Sequence, residues 1–412
     1  MKILHFADLH IGVETHGRPD PADGLSTRLH DFLDVFDELV DAAIAERIDL
    51  VLFAGDAYKS RDPSQTHQRE FARRIRRLSD AGIPVYLLVG NHDVPNARAR
   101  ASALEIFDTL AVPNVFIGDT LGTRVVTTSV GPIQIVGVPW PSVSQLLTRD
   151  EMRGLSITEI DRELERRVAE GIAREAERLD PAVPAVLTAH IAMADSIVKT
   201  ASEQFMTLGR FPRLRQADLS PQCFDYVALG HHHCYQVLRQ QPPVIYAGSL
   251  QRVDFGEETD PKGFVVVEID QNRRPGERAP FERVAFREVR ARRFQTVDVQ
   301  PLADDPTDEV VHAIDAAHVT DAIVRLRLRL SPDQSTALDE RRVREHLASA
   351  HAVAGIAREV ARPARRRLPA TTSPENLSPL EALEAYLDAR DEPAERRSVL
   401  LEYARRVVDG GL

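Results

Sequence analysis

The sequence predicts a layered α/β protein followed by a small α/β cap and a terminal pair of helices. Three features of the 412-residue chain lead there. Over residues 1–285 short apolar runs alternate with helical stretches, the pattern of strands covered by helices. Residues 286–362 form a second unit, in which the stretch from 294 onward reads strand, helix, strand, helix, strand. Residues 363–377 have the composition of a Pro/Arg-rich linker, and 378–412 read as two short amphipathic helices.

Composition fits this division. Apolar residues at 43% and charged residues at 28% are the balance of a globular chain with a core, and the length suits two or three domains. The segment from Met1 to Ala7 turns polar too early for a secretory signal, and no run approaches the roughly 18 apolar residues of a membrane helix. Cys223 and Cys234 are too few for a disulfide framework, so a cytoplasmic protein is expected. The net charge of -11 argues against a chain that binds nucleic acid unaided. Any DNA would be met by local basic patches, by metal ions or by another subunit.

Taken in order, the apolar runs share a feature: each ends in residues that bind metals. Ile3 to Ala7 leads into Asp8-Leu9-His10, and Leu50 to Ala54 into Gly55-Asp56. Leu87-Leu88-Val89 stops at Gly90-Asn91-His92-Asp93. Ala185 to Ala189 runs into His190, and Tyr226 to Leu229 into Gly230-His231-His232-His233. Polar groups at the carboxyl ends of strands lie where α/β sheets bind ligands. Between the second and third runs, Gln68 to Leu78 reads as an amphipathic helix whose arginine face is either solvated or a DNA contact. Residues 150–178 read as a longer helix rich in Glu and Arg. Lys262 to Asp270 reads as a strand, 271–276 as a polar turn, and Phe281 to Arg293 as an arginine-heavy strand.

In the cap, Asp305 and Pro306 mark the N-cap and first position of a helix. Its central strand alternates Val324, Leu326, Leu328 and Leu330 with Arg325, Arg327 and Arg329. That spacing sets guanidiniums about 6.7 Å apart on one face, suited either to a charge-protected edge or to a phosphate backbone. Ser378-Pro379-Leu380-Glu381 has the form of a capping box. Leu380, Leu383 and Leu387 then make one stripe, and Leu400, Leu401, Ala404, Val407 and Val408 another, ending at Gly410-Gly411. These helices either fold back on the cap or dock on a partner.

The collected ligands are Asp8, His10, Asp56, Asn91, His190, His231 and His233. Imidazole, carboxylate and amide oxygen without thiolate favour manganese, iron or zinc, with magnesium less suited. Seven ligands are too many for one open site but suit two ions about 3.5–4 Å apart that share a carboxylate. Two dications less the charges of Asp8 and Asp56 leave about +2, which attracts a phosphate anion. His92, beside Asn91 yet poorly placed to bind the same ion, is the candidate general acid for the leaving alkoxide. His232 is read as packing, Cys234 as a buried thiol, and Asp93 as either orienting His92 or capping the turn.

Asp8-x-His10, Gly55-Asp56, Gly90-Asn91-His92-Asp93, His190 and Gly230-His231-x-His233, in that order, resemble the calcineurin-like metallophosphoesterase superfamily. With Tyr246-Ala247-Gly248-Ser249-Leu250, the cap and the helix pair, the longer pattern is similar to the bacterial SbcD exonucleases. The resemblance implies a metallophosphoesterase β-sandwich flanked by helices. It implies one manganese on Asp8, His10, Asp56 and His233 and a second on Asp56, Asn91, His190 and His231. It further implies exonuclease and endonuclease action on DNA ends and hairpins, in a homodimer joined to an SMC-like ATPase (SbcC-type) as a heterotetramer. The terminal helices, through Leu380, Leu383, Leu387, Leu400, Leu401 and Ala404, would grip that ATPase. One position departs from the pattern: Lys59 stands where this family commonly has a histidine three residues after the bridging aspartate. Lysine offers a phosphate positive charge, as Arg325, Arg327 and Arg329 would, but does not shuttle protons near neutrality. Two other readings compete: a small-substrate phosphatase or cyclic-nucleotide phosphodiesterase, and a protein that mainly tethers DNA ends.

Overall fold

Side chains of the first strand, β1 (Lys2–Phe6), alternate between two apolar layers, Ile3 on one face and Leu4 and Phe6 on the other. A strand buried on both faces needs cover on both, and the rest of the chain supplies it. The computed structural model describes residues 1–94, 100–147, 150–197, 212–270, 281–360, 378–389 and 393–408. The expected turn at 271–276, the linker at 363–377 and the Gly410-Gly411 stop lie outside the described residues.

After β1 come α1 (Thr27–Ala45), β2 (Leu50–Phe53), α2 (Gln65–Asp80) and β3 (Val85–Leu88). Next are α3 (Ile106–Thr109), β4 (Val115–Gly118), β5 (Gly122–Thr128), β6 (Gly131–Val138), α4 (Val143–Leu146) and α5 (Ile157–Glu177). There follow β7 (Ala185–His190), β8 (Ala192–Met193), β9 (Arg213–Leu214), β10 (Tyr226–Gly230), β11 (Gln236–Gln240) and β12 (Pro243–Tyr246). β13 (Gly263–Glu268) and β14 (Val284–Glu288) complete two six-stranded sheets, ordered β14-β13-β1-β2-β3-β4 and β11-β12-β10-β7-β6-β5.

The sheets share an apolar layer that includes Ile3, Leu52, Leu88, Ile135, Val186 and Ala228. Helices α1 and α2 cover the outer face of the first sheet, setting Phe36, Leu39, Phe71 and Ile75 against Phe6, Val51, Phe53 and Leu87. On the second sheet α5 sets Val168 and Ile172 against Val136, Leu187, Val227 and Leu229. The arginines of α2 are paired within the chain: Arg74 and Arg77 bind Asp37 and Asp41 of α1, and Arg76 binds Asp80. β1, β2, β3 and β4 run parallel, as do β6, β7, β10 and β12. Their carboxyl ends are the edge that matters below.

A third sheet holds β15 (Phe294–Val299), β16 (Ile323–Leu330) and β17 (Ala352–Val360) in that order. Between its strands lie α6 (Thr307–Ala316), α7 (Pro332–Ala337) and α8 (Glu340–His346), so the second expected helix is split, with Leu338 extended at the break. Asp305 accepts the Thr307 N–H at 3.0 Å, as its capping position requires. In β16, Val324, Leu326, Leu328 and Leu330 are buried while the arginines between them are not. The last helices are α9 (Pro379–Ala389) and α10 (Ala394–Val408). Ser378 accepts the Glu381 N–H, and the Glu381 carboxylate accepts the Ser378 N–H at 2.8 Å, closing the capping box. Among the described residues no helix is long and apolar enough to cross a membrane.

The chain divides into two compact units. The larger is residues 1–297, 314–326 and 346–356; the smaller is 298–313, 327–345 and 357–412. In the smaller unit Arg329 pairs with Asp298 at 2.8 Å, and α9 and α10 are joined by Arg397 with Asp388. Leu387 is buried there, Leu380, Leu383, Leu401 and Ala404 are half-buried, and Leu400 is exposed. The outward apolar side chains of the pair are Tyr386, Val399, Leu400, Tyr403, Val407 and Val408.

Candidate metal centre

Parallel strands from both sheets end at one place because the shared apolar layer brings their carboxyl edges together. Asp8 follows β1, Asp56 follows β2, Asn91 follows β3, His190 ends β7 and His231 follows β10. The Asp8 amide donates to the Gly55 carbonyl at 2.9 Å, and the His10 amide to the Asp56 carbonyl at 3.1 Å, which locks the first two loops side by side. Four of these residues lie at positive φ: Asp8 at 53°, His10 at 49°, Asp56 at 63° and His231 at 106°. Non-glycine residues rarely adopt that region, and four of the eleven that do so among the described residues meet here. Gly55 lies at φ 101°, and a Cβ there would meet His190 Nδ1 at 2.3 Å, so only glycine lets that ring approach.

The side chains converge. His10 Nε2 lies 2.9 Å from His233 Nε2, 3.7 Å from Asp56 Oδ2 and 4.0 Å from Asp8 Oδ1. His190 Nε2 lies 3.4 Å from Asp56 Oδ2 and 2.9 Å from Asn91 Oδ1, and His231 Nδ1 lies 3.2 Å from the same amide oxygen. Asp8, His10 and His233 can offer ligand atoms to one point, Asp8, Asp56 and His190 to another, and His10, Asp56 and His92 to a third. All seven predicted ligands are thus brought together, with Asp56 between the groups.

Electrostatics show what the place favours. Burial would raise the pKa of Asp56, but His190 and His92 hold it well below the ordinary carboxylate range. Burial raises Asp8 to about 6 against the pull of His190 and His233. Burial opposes charge on His190, yet Asp56 and Asp8 raise it to about 9. Two buried carboxylates therefore stabilise positive charge among them. The ring nitrogens fit a cation too. His233 Nδ1 donates to the Glu257 carboxylate at 2.7 Å and His190 Nδ1 faces the Ala54 carbonyl oxygen at 2.7 Å, so in both rings Nε2 is the atom turned inward. His10 Nε2 and His233 Nε2 face each other, and no more than one proton fits between them. The donor set is one that divalent metals bind.

His92 sits beside this group, its ring centroid 4.9 Å from that of His10. Its backbone N–H donates to Asp56 Oδ1 at 2.8 Å and its Nδ1 donates to the Lys59 carbonyl oxygen at 2.7 Å. The Asp93 carboxylate accepts the amides of Gly90, Asp56 and Ala57 at 2.9–3.1 Å, tying two loops, while the His92 ring is held by Lys59. His232 packs against Tyr246, with Nε2 2.8 Å from Ser196 Oγ, and Cys234 is buried.

The basic candidates are placed more variously. The Lys59 side chain is exposed. Arg325 Nη2 donates to Thr296 Oγ1 at 2.9 Å and its guanidinium stacks 4.2 Å from the Phe255 ring centroid. Arg329 pairs with Asp298 and Glu359. Sequence reasoning missed Glu257 and Lys262, a buried ion pair behind His233. Burial would raise the Glu257 carboxyl, but Lys262 and His233 bring it down to about 2. In sequence both look like surface charges near a strand start, and no spacing signals them.

Comparison with known proteins places the chain. Residues 1–235 match the calcineurin-like phosphoesterase family. The DNA double-strand break repair protein Mre11 of Thermoplasma acidophilum is 26% identical over 77% of this chain and 73% of its own length. The SbcD component of the nuclease SbcCD of Bacillus subtilis is 29% identical over 69% of each. Among solved structures, a dimetal phosphatase from Danio rerio matches 65% of this chain and 91% of its own, at 12% identity and a TM-score of 0.34. This chain belongs to the calcineurin-like phosphoesterase family, metal-dependent hydrolases of phosphoester bonds.

Proposed function

We propose that this chain is the nuclease component of a DNA-break processing complex, holding two manganese ions and working with an SMC-like ATPase. The observation that carries the reading is the convergence of Asp8, His10, Asp56, Asn91, His190, His231 and His233 from two sheets onto one edge. The names of its relatives support DNA as the substrate. Asp8, His10, Asp56 and His233 hold one ion and Asp56, Asn91, His190 and His231 the other. When bound, the ions supply Lewis-acid activation of water and of the phosphoryl oxygens.

The remaining steps belong to side chains. His92, held by its Nδ1–H to the Lys59 carbonyl, presents Nε2 as the atom able to give a proton to the leaving 3′ or 5′ oxygen. That Nε2 is buried beside the ligand cluster and among the described residues has no hydrogen-bond partner in the protein, which leaves it unspent for a proton. Lys59 then serves twice: its carbonyl orients the acid, and its exposed ammonium meets the phosphate backbone. In the β16 row Arg327 forms no ion pair among the described residues and is the guanidinium offered to a phosphate; Arg325 and Arg329 are engaged within the chain.

The division of labour follows the sequence-based domains: 1–285 for chemistry, 286–362 for DNA, 363–377 as linker and 378–412 for the ATPase. The apolar face of Tyr386, Leu400, Tyr403 and Val407 is the surface the helix pair offers that partner, while Leu380, Leu383, Leu387, Leu401 and Ala404 lie partly or wholly within the pair. The test is substrate class. Purified chain with manganese, alone and with its ATPase and ATP, is expected to degrade end-labelled linear duplex DNA and to leave nucleotide monoesters intact. Turnover of monoesters with no action on DNA would assign the same centre to a small-substrate phosphatase.

A further inference from the structure

Behind His233 lies a buried cation that touches neither substrate edge nor solvent. The Lys262 ammonium has three N–H donors and three acceptors: Glu257 Oε2 at 2.7 Å, Ser249 Oγ at 2.8 Å and the His233 carbonyl oxygen at 3.0 Å. Both charged side chains are fully buried. The other carboxylate oxygen, Glu257 Oε1, accepts the His233 Nδ1–H at 2.7 Å. Lys262 therefore grips His233 at both ends, its backbone directly and its ring through Glu257. Close approach depends on Gly248, at φ 75°, where a Cβ would lie 2.9 Å from the His233 carbonyl oxygen. The neighbouring Ser249 amide donates to that same oxygen at 3.0 Å.

A buried ion pair commonly adds no more stability than an apolar pair of equal volume. Stability alone therefore gives no reason for these two charges. What they add is direction. A carboxylate anchored by Lys262 and accepting Nδ1–H keeps His233 in the tautomer whose Nε2 is turned inward, toward His10 Nε2 at 2.9 Å. We propose that Glu257 and Lys262 are positioning residues that hold His233 ready for a divalent cation. The proposal rests on the two-metal reading above.

Manganese titration of the full-length chain by calorimetry tests it, beside the melting temperature of the metal-free protein. Wild type is expected to take up two ions. In Lys262→Met one of the two sites weakens by about 10- to 100-fold and the other is unchanged, the range seen when a partner of a metal-binding histidine is removed. Because that substitution leaves a buried carboxylate with one partner fewer, a second variant combines Glu257→Leu with Lys262→Met and removes both charges while keeping volume. It is expected to fold and to show the same selective loss. Two manganese sites of wild-type affinity in the folded double variant, with only the melting temperature changed, would overturn the proposal. Wild type that binds no manganese would overturn the two-metal reading and the clamp with it, and that outcome is visible before any substitution is made.

Discussion

The imidazole of His92 is hydrogen-bonded to the backbone oxygen of Lys59 at 2.7 Å and, among the described residues, to no side chain. A change of side chain at position 59 therefore leaves the orientation of His92 intact. If His92 gives a proton to the leaving oxygen, its importance grows with the basicity of that oxygen. His92→Ala is expected to slow hydrolysis of DNA by about 10²- to 10⁴-fold, and to slow a p-nitrophenyl phosphodiester much less, because p-nitrophenolate needs no proton to leave. Equal losses on both substrates would remove His92 from the role of acid. Lys59→Ala is expected to keep the p-nitrophenyl rate.

His5 lies between the sheets, bonded through Nδ1 to the Tyr226 hydroxyl at 2.8 Å. Burial lowers its pKa from 6.5 to about 3. The folded value is below the unfolded one, so protons favour the unfolded chain: the contribution of His5 is intact above pH 6.5 and falls as pH drops toward 3. The slope is about 1.4 kcal/mol per pH unit for one proton. Unfolding by denaturant at pH 7.5, 6 and 5 is expected to show a slope shallower by one proton in His5→Gln than in wild type. Parallel slopes would contradict the assignment.

Arg325 and Arg327 look alike in sequence and differ in the fold. Loss of the Phe255 stack and the Thr296 bond in Arg325→Met is expected to cost about 1–2 kcal/mol of stability and to leave the salt dependence of duplex binding unchanged. Arg327→Met is expected to do the reverse, lowering the slope of log affinity against log salt by about 1. Anisotropy titrations over a salt series, with melting curves, separate the two.

Deletion of residues 375–412 is expected to release the ATPase partner without abolishing metal-dependent hydrolysis of a small phosphodiester, since every proposed ligand lies in the larger unit. Replacing Tyr403 and Val407 with serine is expected to weaken the same association in the full chain, because both are exposed on one helix face. Loss of basal hydrolysis in a folded truncation would refute this division.

The strands that carry ligands were legible because each is a short apolar run that stops at Asp, His or Asn, as at Leu52-Phe53-Ala54-Gly55-Asp56. Their assignment to two sheets was not, since β2 and β7 are both buried along their whole length. Pairing separates them: β2 lies between β1 and β3, and β7 between β6 and β10. The arginine row of β16 was read correctly for direction, but which guanidiniums are taken up by Phe255, Asp298 and Glu359 depends on neighbours from other elements. Glu257 and Lys262 escaped for a related reason: a buried charge pair has the local signature of surface polarity until the fold encloses it.

The measurement that tests the central claim most directly is degradation of end-labelled duplex DNA as a function of manganese, by wild type and by Asp56→Asn. Asp56 stands between the two ligand groups. The account predicts activity that EDTA abolishes and that the variant loses at every manganese concentration while keeping its fold. A folded Asp56→Asn chain that cuts DNA at the wild-type rate would contradict it, as would wild type that cuts equally well in EDTA.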